Sequence, residues 1–430
     1  MIVGSAMESW EATRSGPVSQ ILPRCLAQLG GATSWADCLT ALRHLMTPFH
    51  ALRGPQIAHY EESFGSRIGV RFAISFSAAR VGLFGLLKVL GIGPTDEVLL
   101  QVPTHIVVAN AIRYTGAQPV YVDCRLEDYN IDLKQAEQRI TPKTRAIILQ
   151  HTFGIPVDLD RAQDLAKRYG LILIEDCVHA LGARYKGRPV GSFGRAAIFS
   201  TEETKTISST MGGMVVTDDR ILAQQIRDFE EACPWPRRSL VARYLLKLVA
   251  YHFLTHPYVY RWPRLAYEFL GRRNPLPTPT SREERQGLRP KDYATRFSNG
   301  QSAVLLGQLQ RLEQNVAHRA FVAAAYSARL AQCGLKLPKV AEGVYPSWVR
   351  FPVWVSDRDE ALRRVSPHCV SGTWFTSVLE EAESPSCGGY VSGLCPRAEM
   401  VSRHLINLPT HPRVREADVA RITEALSSNV

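Results

Sequence analysis

The sequence of 430 residues lacks several features that would assign it to a special class of protein. It contains no run of about 18 uncharged apolar residues, so we expect no transmembrane helix. Its first twenty residues contain no basic stretch followed by an apolar core, so we expect no secretory signal. It also lacks internal repeats and low-complexity stretches. These absences favour a cytoplasmic globular protein with a sizeable core.

Closely spaced cysteines are also absent. The nine cysteines are scattered from Cys25 to Cys395, and none forms a Cys-x-x-Cys pair. Zinc sites and redox motifs require such spacing, and the odd number argues against a complete disulfide framework. We therefore expect reduced thiols and no metal site.

Acidic residues are fewer than basic ones, and the net charge is +11. Such a charge suits nucleic acid, an anionic membrane surface or phosphorylated substrates. Much of the excess lies between Arg237 and Lys291. No nucleic-acid-binding motif accompanies it, so we expect no nucleic-acid partner.

Between Arg71 and Asp219, short apolar runs alternate with helical stretches. The predicted strands are Phe72–Ser75, Glu97–Val102, Pro119–Asp123, Arg145–Gln150, Leu171–Glu175, Ala196–Ser200 and Met214–Thr217. The predicted helices are Val81–Leu90, Ile106–Tyr114 and Leu159–Tyr169. This alternation predicts an α/β fold in which crossover helices cover a mostly parallel sheet. Ligands bind at the carboxyl ends of such strands.

The chain divides into three predicted parts. Residues 1–232 form an N-terminal segment and a large domain, and residues 233–292 form a basic, apolar helical insertion. Residues 293–430 form a long helix, over Phe297–Leu335, and a smaller α+β domain. Within that domain we expect a strand at Trp348–Val355 and a closing helix at Glu416–Leu426.

Two of the predicted strands end in residues that carry chemistry. Ile172–Asp176 ends in Glu175 and Asp176, and Phe199–Ser200 is followed by Lys205. Singly, each has an ordinary explanation, since acids cap helices and lysines usually lie on the surface. Together they match pyridoxal phosphate, which needs a lysine for its aldehyde and an acid for its ring nitrogen.

A series of motifs in one order resembles the DegT group of sugar aminotransferases. The matching stretches are Leu90–Val98, Gly116–Asp123, Tyr129–Asp132, Ile140–Ile147, His151–Pro156, Ile174–Gly182, Tyr185–Gly194, Phe199–Lys205 and Leu408–Pro412. This resemblance implies a fold-type-I, pyridoxal-phosphate-binding enzyme with a three-layer αβα large domain and a smaller C-terminal α+β domain. It also implies a homodimer.

The resemblance implies roles for individual residues. Asp176 would pair with the pyridine nitrogen, Lys205 would hold the cofactor as a Schiff base and shuttle the proton, and Ser200 would bind the phosphate. His105 takes the place of an aromatic residue that stacks on the ring. His179 replaces a common glutamine and would lie under the ring. For each histidine, a packing role in the interior is the alternative.

Two departures from the family pattern concern the phosphate. Where the family has Gly-Thr-Ser, this chain has Ala79, Arg80 and Val81, so backbone N–H groups must hold the phosphate, with Arg80 as a possible ion-pair partner. A solvated arginine is the alternative for Arg80. Ala79 also requires a turn without positive φ. Ala294 stands where an asparagine normally reaches the partner subunit's cofactor.

The function implied by the resemblance is transfer of an amino group, from glutamate as donor, to a nucleotide-linked keto sugar in surface polysaccharide or secondary-metabolite biosynthesis. Three alternatives remain open: a regulator or scaffold without turnover, a sugar dehydratase, and a cyclitol aminotransferase. The dehydratase branch of the family has a histidine in place of the lysine, so Lys205 favours amino transfer.

The segment 239–273 does not fit the family pattern. It mixes apolar and aromatic residues with arginines, which suits a basic amphipathic helix on a membrane surface. The alternative is a helical hairpin that packs on the large domain or on the partner subunit. The following stretch, Asn274–Pro290, contains several prolines and is predicted to be a loop.

Overall fold

The structure, a computed structural model, describes residues 24–28, 31–269 and 279–427. Its strands are β1 (Phe72–Phe76), β2 (Glu97–Gln101), β3 (Thr104–His105), β4 (Gln118–Val122), β5 (Thr144–Gln150), β6 (Ile172–Asp176), β7 (Arg184–Tyr185), β8 (Arg188–Pro189), β9 (Ala196–Ser200), β10 (Gly213–Thr217), β11 (Val344–Tyr345), β12 (Phe351–Trp354), β13 (Leu379–Glu380) and β14 (Leu405–Leu408).

The helices are α1 (Trp35–Met46), α2 (Pro48–Leu52), α3 (Gln56–Ile68), α4 (Ala79–Val89), α5 (Ile106–Arg113), α6 (Leu133–Gln138), α7 (Leu159–Tyr169), α8 (Arg220–Ala232), α9 (Arg238–Leu254), α10 (Arg261–Phe269), α11 (Arg282–Arg285), α12 (Asn299–Gln310), α13 (Leu312–Ala331), α14 (Arg358–Val365), α15 (Pro396–His404) and α16 (Glu416–Ser427). Short 3₁₀ turns occur at Thr152–Gly154 and Pro385–Gly388.

A seven-stranded sheet forms the centre of the fold, in the order β1-β10-β9-β6-β5-β2-β4. Strand β10 runs antiparallel to both of its neighbours, and the other strands are parallel. Parallel strands are buried on both faces and are therefore continuously apolar. In β5, Ile148 packs into the core under α4, α5 and α8, and Ile147 packs into the core under α3, α7 and α12. The large domain is thus a three-layer αβα structure.

The C-terminal part is a smaller α+β unit. Strands β12 and β14 pair in antiparallel fashion, and α13, α14 and α16 pack around them. Tyr326, Phe351, Ile406 and Val419 belong to a buried cluster of their own. The predicted strand and closing helix of this unit are both present, within a few residues of their expected limits.

Two predictions about the middle of the chain were wrong in detail. The long helix over Phe297–Leu335 is two helices, α12 and α13, because Arg311 has φ −99 and ψ 6. Its guanidinium binds the buried carboxylate of Asp37 at 2.7 Å. The expected loop Asn274–Pro290 contains α11, whose start is fixed by a capping box between Ser281 and Glu284. Residues 274–278 of that stretch lie outside the described residues.

The described part of the predicted insertion contains the helices α9, α10 and α11. Helix α9 packs on α1 and α12 through Val241, Leu245 and Leu248, which form a small core with Ala41 and Val304. This contact favours the hairpin alternative for one face of α9. We propose that the domain limits lie near residues 232 and 292, because this small core is separate from the larger ones. Within the described ranges, no helix has both the length and the apolar character needed to cross a membrane.

Candidate active site

A cavity of about 220 Å³ lies at the carboxyl ends of the central strands. The predicted site residues that line it are Ala79, Arg80, His105, Asp176, His179, Ser200 and Lys205. Val81 is the exception, because its side chain packs in the core and its N–H bonds the carbonyl of Ala78 at 3.1 Å. The topology therefore brings Asp176 and Lys205 to one cavity from different strands.

Asp176 ends β6 and is almost completely buried. Its Oδ1 accepts a hydrogen bond from the Val178 N–H at 3.1 Å, and its Oδ2 has no donor among the described residues. Burial raises the pKa of this carboxyl to about 6. A buried carboxylate oxygen without a donor fits a protonated ring nitrogen, which would supply the missing hydrogen bond.

Lys205 is also buried, and its Nζ lies 4.5 Å from the ring centroid of Trp374. Burial lowers the pKa of this lysine to about 8, although Glu202 opposes the shift. Near neutral pH a minor fraction of the amine is therefore uncharged, and this fraction grows as the pH approaches 8. An uncharged amine is the form that attacks an aldehyde.

Two glutamine side chains of α12 hold the loop that follows Lys205. The Nε2 of Gln301 donates to the carbonyls of Ser209 and Met211 at 3.1 and 2.7 Å. Gln308 forms two hydrogen bonds of 2.8 Å with the backbone of Ser208. These contacts give a structural reason for a glutamine at position 301, since its side chain fixes the backbone of this loop.

The N-terminus of α4 forms the second wall of the cavity. Its N-cap, Ala78, makes no side-chain capping bond, and Ala79 has ordinary helical φ as expected. A Cβ atom on Gly213 would lie 2.2 Å from the Ala79 nitrogen, so only glycine lets β10 approach this turn. Uncapped N–H groups at a helix N-terminus attract phosphate. Ser200 lies nearby, where its Oγ accepts a bond from the Glu202 N–H.

Arg80 is held from the other side of the cavity. Its Nε lies 2.8 Å from Glu284 of α11, and its Nη2 donates to the Pro279 carbonyl at 2.7 Å. The guanidinium is therefore not the solvated arginine of the alternative reading. Its charge is balanced by Glu284, so a phosphate contact from Arg80 stays a prediction.

The rings of both histidines lie close to Trp374. Nδ1 of His105 accepts a bond from the Val107 N–H, and Nε2 lies 3.4 Å from Glu381. His179 is buried with its ring 4.8 Å from Trp374, and its Nδ1 has no partner among the described residues. Burial lowers the pKa of His179 well below its usual value, so this ring is neutral.

The cavity is also lined by residues of the C-terminal part that were not predicted from the sequence, above all Arg350 and Trp374. The Arg350 guanidinium lies 4.4 Å from the Trp374 ring centroid and is only 7% exposed. Across the described ranges it makes no ion pair and no hydrogen bond. Burial lowers the pKa of Arg350 to about 10. A buried cation beside Lys205 that forms no ion pair fits an anionic ligand. No local motif signals it, because only the fold brings β12 to the cavity.

One group of metal-ligand type occurs among the described residues: His151, Glu175 and Cys177. Glu175 already accepts bonds from His151 and from the N–H groups of Gly191, Phe193 and Gly194. Burial favours a higher pKa for Glu175, but the bonds from His151 and these N–H groups outweigh it and lower the pKa. The cluster is thus a satisfied hydrogen-bond network.

Comparison with known proteins gives consistent matches. A profile of the DegT/DnrJ/EryC1/StrS aminotransferase family matches residues 36–244 and 277–427. GDP-perosamine synthase of Caulobacter vibrioides is 30% identical over 381 residues, which cover 87% of this chain and 90% of that protein. GDP-perosamine synthase of Escherichia coli O157:H7 is 40% identical over 178 residues, or 41% of this chain and 49% of that protein.

Solved structures share the fold. The crystal structure of S. venezuelae DesV in complex with a ketimine intermediate superposes with a TM-score of 0.72 at 28% identity, covering 92% of this chain and 95% of that one. This overlap confirms the predicted αβα large domain and the smaller C-terminal α+β domain.

Proposed function

The chain belongs to the DegT/DnrJ/EryC1/StrS aminotransferase family and is a pyridoxal-phosphate-dependent aminotransferase; we propose that it moves an amino group from glutamate to a keto sugar carried by a nucleotide. The relatives named GDP-perosamine synthase support a nucleotide-linked acceptor. The observation that carries the proposal is the cavity itself, where Lys205 and the unpartnered Oδ2 of Asp176 face one small volume.

The cofactor, when bound, supplies an aldehyde and a ring that accepts electrons. Asp176 would accept a hydrogen bond from the ring nitrogen at Oδ2 and keep that nitrogen protonated. Lys205, whose pKa is lowered by burial, would attach through Nζ in its neutral form and afterwards take and return the proton of the donor's α-carbon. The N–H groups at the start of α4 and the Ser200 hydroxyl would hold the phosphate. His105 and His179 would flank the ring.

Arg350 would bind a carboxylate of the amino donor. It is the buried cation of the cavity that lacks an anion among the described residues, and arginine pairs well with carboxylates. Replacing it by methionine keeps most of the side-chain volume and its contact with Trp374. We expect Arg350→Met to raise KM for glutamate while KM for the sugar acceptor changes little. Equal changes in both would contradict a donor role.

The test of the function is incubation of the protein with glutamate and a panel of nucleotide keto sugars, read by mass spectrometry. We expect an amino sugar to form with at least one acceptor, and Lys205→Ala to abolish it. Formation of 2-oxoglutarate without any sugar product would point to another ketone, such as a cyclitol. A protein that binds the cofactor but does not turn over glutamate would be a regulator or scaffold.

We further propose that the active form is a homodimer. Helix α1 exposes an apolar stripe in which Trp35, Leu39 and Met46 are 62%, 63% and 77% exposed. Stripes of this kind mark contact surfaces in soluble proteins. Light scattering coupled to gel filtration would give the mass in solution. A monomer at all concentrations would contradict the proposal.

We also propose that the segment 239–273 contacts an anionic membrane surface from the cytoplasmic side, through the exposed face of α10. Trp262, Leu265 and Phe269 share one face of α10 and are 63%, 45% and 92% exposed. No acidic residue occurs between Glu231 and Glu268. Co-sedimentation with vesicles of phosphatidylglycerol and phosphatidylcholine would test this. We expect the wild type to bind the mixed vesicles but not vesicles of phosphatidylcholine alone. A variant with serine at all three positions should not bind either kind of vesicle.

A further inference from the structure

The inner side of the insertion reaches the loop that carries Lys205. Nζ of Lys247 in α9 lies 2.5 Å from Oε2 of Glu203, and Tyr251 hydrogen-bonds the same carboxylate. Glu203 precedes Lys205 by two residues and lines the same cavity. Its side chain is only 9% exposed. A side chain from the insertion therefore contacts the catalytic loop directly.

This contact belongs to one face of α9. Tyr244, Lys247 and Tyr251 follow one another at helical spacing and face the loop, and the carbonyl of Tyr244 accepts a bond from Thr210 at 3.4 Å. Val241, Leu245 and Leu248 form the neighbouring face and pack on α1. The family profile stops at residue 244 and resumes at 277. Lys247 and Tyr251 thus lie in a stretch that the family profile does not match.

The first half of the loop has few other restraints. Glu202 accepts bonds from the Thr204 N–H and hydroxyl, and the Lys205 N–H bonds the Glu202 carbonyl at 3.1 Å. These bonds stay within the turn. In the described part of the chain, the contacts of Glu203 with α9 are the hydrogen bonds and ion pair that tie residues 202–205 to another element, beside the contact of Lys205 Nζ with the Trp374 ring. The amides of α12 hold only the second half, after Lys205.

We propose that Lys247, assisted by Tyr251, is a positioning residue for Lys205. By holding Glu203, it fixes the turn that sets where the amine of Lys205 meets the cofactor and the substrate. The insertion then has two roles: α9 positions the catalytic lysine, and the exposed face of α10 contacts the membrane surface. The proposal rests on the proposed function only in so far as Lys205 carries the cofactor.

The experiment compares Lys247→Met with Arg243→Met in the cofactor-loaded enzyme. Both changes remove one positive charge from α9, but Arg243 lies on its exposed face. The first readout is a pH titration of the visible absorbance of the bound cofactor, which reports the environment of Lys205. The second is the steady-state rate with glutamate, separated into kcat and KM. Tyr251→Phe, which removes only a hydroxyl, serves as the milder variant.

We expect Lys247→Met to shift the titration midpoint and to lower kcat by about 10- to 100-fold, because misplacement of a reacting group by about 1 Å has effects of this size. Arg243→Met should match the wild type, Lys247→Arg should restore part of the rate, and Tyr251→Phe should shift both readouts in the same direction by less. In the double variant Glu203→Gln, Lys247→Met, the loss should not exceed that of Lys247→Met alone.

The proposal is overturned if Lys247→Met and Arg243→Met give the same titration and the same kcat. It is also overturned if Lys247→Met lowers only the melting temperature. Failure of the proposed function would look different, because the wild type would then show no turnover of glutamate while the absorbance comparison could still be made.

Discussion

Replacing Asp176 by asparagine removes the charge that the cavity offers to the ring nitrogen and keeps the size of the side chain. The amide oxygen can still accept the bond from Val178 that Oδ1 accepts at 3.1 Å. What is lost is the charge-assisted bond at Oδ2, which has no other donor in the described residues. A hydrogen bond to a charged group contributes about 1.5–3 kcal/mol, so cofactor binding should weaken by about 10- to 150-fold.

The assay is an equilibrium titration of the apoprotein with pyridoxal phosphate, followed by absorbance. Asp219→Asn is the control, because Asp219 caps α8 outside the cavity. The pH dependence gives a second check. The pKa of Asp176 in the empty cavity is about 6, so its charge is present above that pH and is lost below it. The advantage of the wild type over Asp176→Asn should therefore narrow below about pH 6. Equal Kd values for the two proteins at pH 8 would refute the reasoning.

Three further predictions concern the same cavity. The rate at which the apoprotein captures the cofactor should rise with pH and level off above about pH 8, because burial lowers the pKa of Lys205 to about 8 and only the neutral amine reacts. Stopped-flow absorbance measures this rate. A rate that does not change from pH 6 to pH 9 would contradict the prediction. Gln301→Leu should lower the free energy of unfolding by about 1–3 kcal/mol, because the carbonyls of Ser209 and Met211 each lose one hydrogen bond and the buried Ser298 hydroxyl loses its acceptor. Gln310→Leu at the exposed end of α12 should not lower it. Urea titration compares the two variants, and equal midpoints would count against the role of Gln301. Gly213→Ala should weaken cofactor binding at least tenfold in the absorbance titration described for Asp176→Asn, because the added methyl group would displace the start of α4. Unchanged binding would show that the turn at Ala79 does not hold the phosphate.

The sequence predicts the central sheet and the pair formed by Asp176 and Lys205, because their signals are local. Buried parallel strands are continuously apolar, and each functional residue follows the end of one strand. The order of the strands then brings the two residues together, and the family motifs identify the cofactor. These predictions required no knowledge of contacts between distant parts of the chain.

Arg350 and Trp374 could not be predicted in this way. Each reaches the cavity because the C-terminal unit packs against the large domain, and neither lies in a motif. Arg80 shows the same limit, since its partner Glu284 is about 200 residues away and lies in a segment that was predicted to be a loop. The Ser281–Glu284 capping box was visible in the sequence and would have revealed α11. The nearby prolines obscured it.

The role of the insertion depended equally on long-range contacts. Its composition predicts basic amphipathic helices, and the structure has the helices α9 and α10 in this segment. The apolar and basic residues of α9 do not form two separate faces, since Leu246 is 55% exposed and Lys247 contacts the buried side of the helix. Composition does not show that Lys247 pairs with Glu203, because that contact depends on the rotation of α9 about its axis.

The central claim is that Lys205 carries the cofactor, and one measurement tests it directly. The purified holoenzyme is reduced with borohydride, digested, and analysed by peptide mass spectrometry. We expect the reduced cofactor to be attached to Lys205 and to be lost in Lys205→Ala. A cofactor found on another lysine, or none retained by the protein after reduction, would contradict the assignment of the active site.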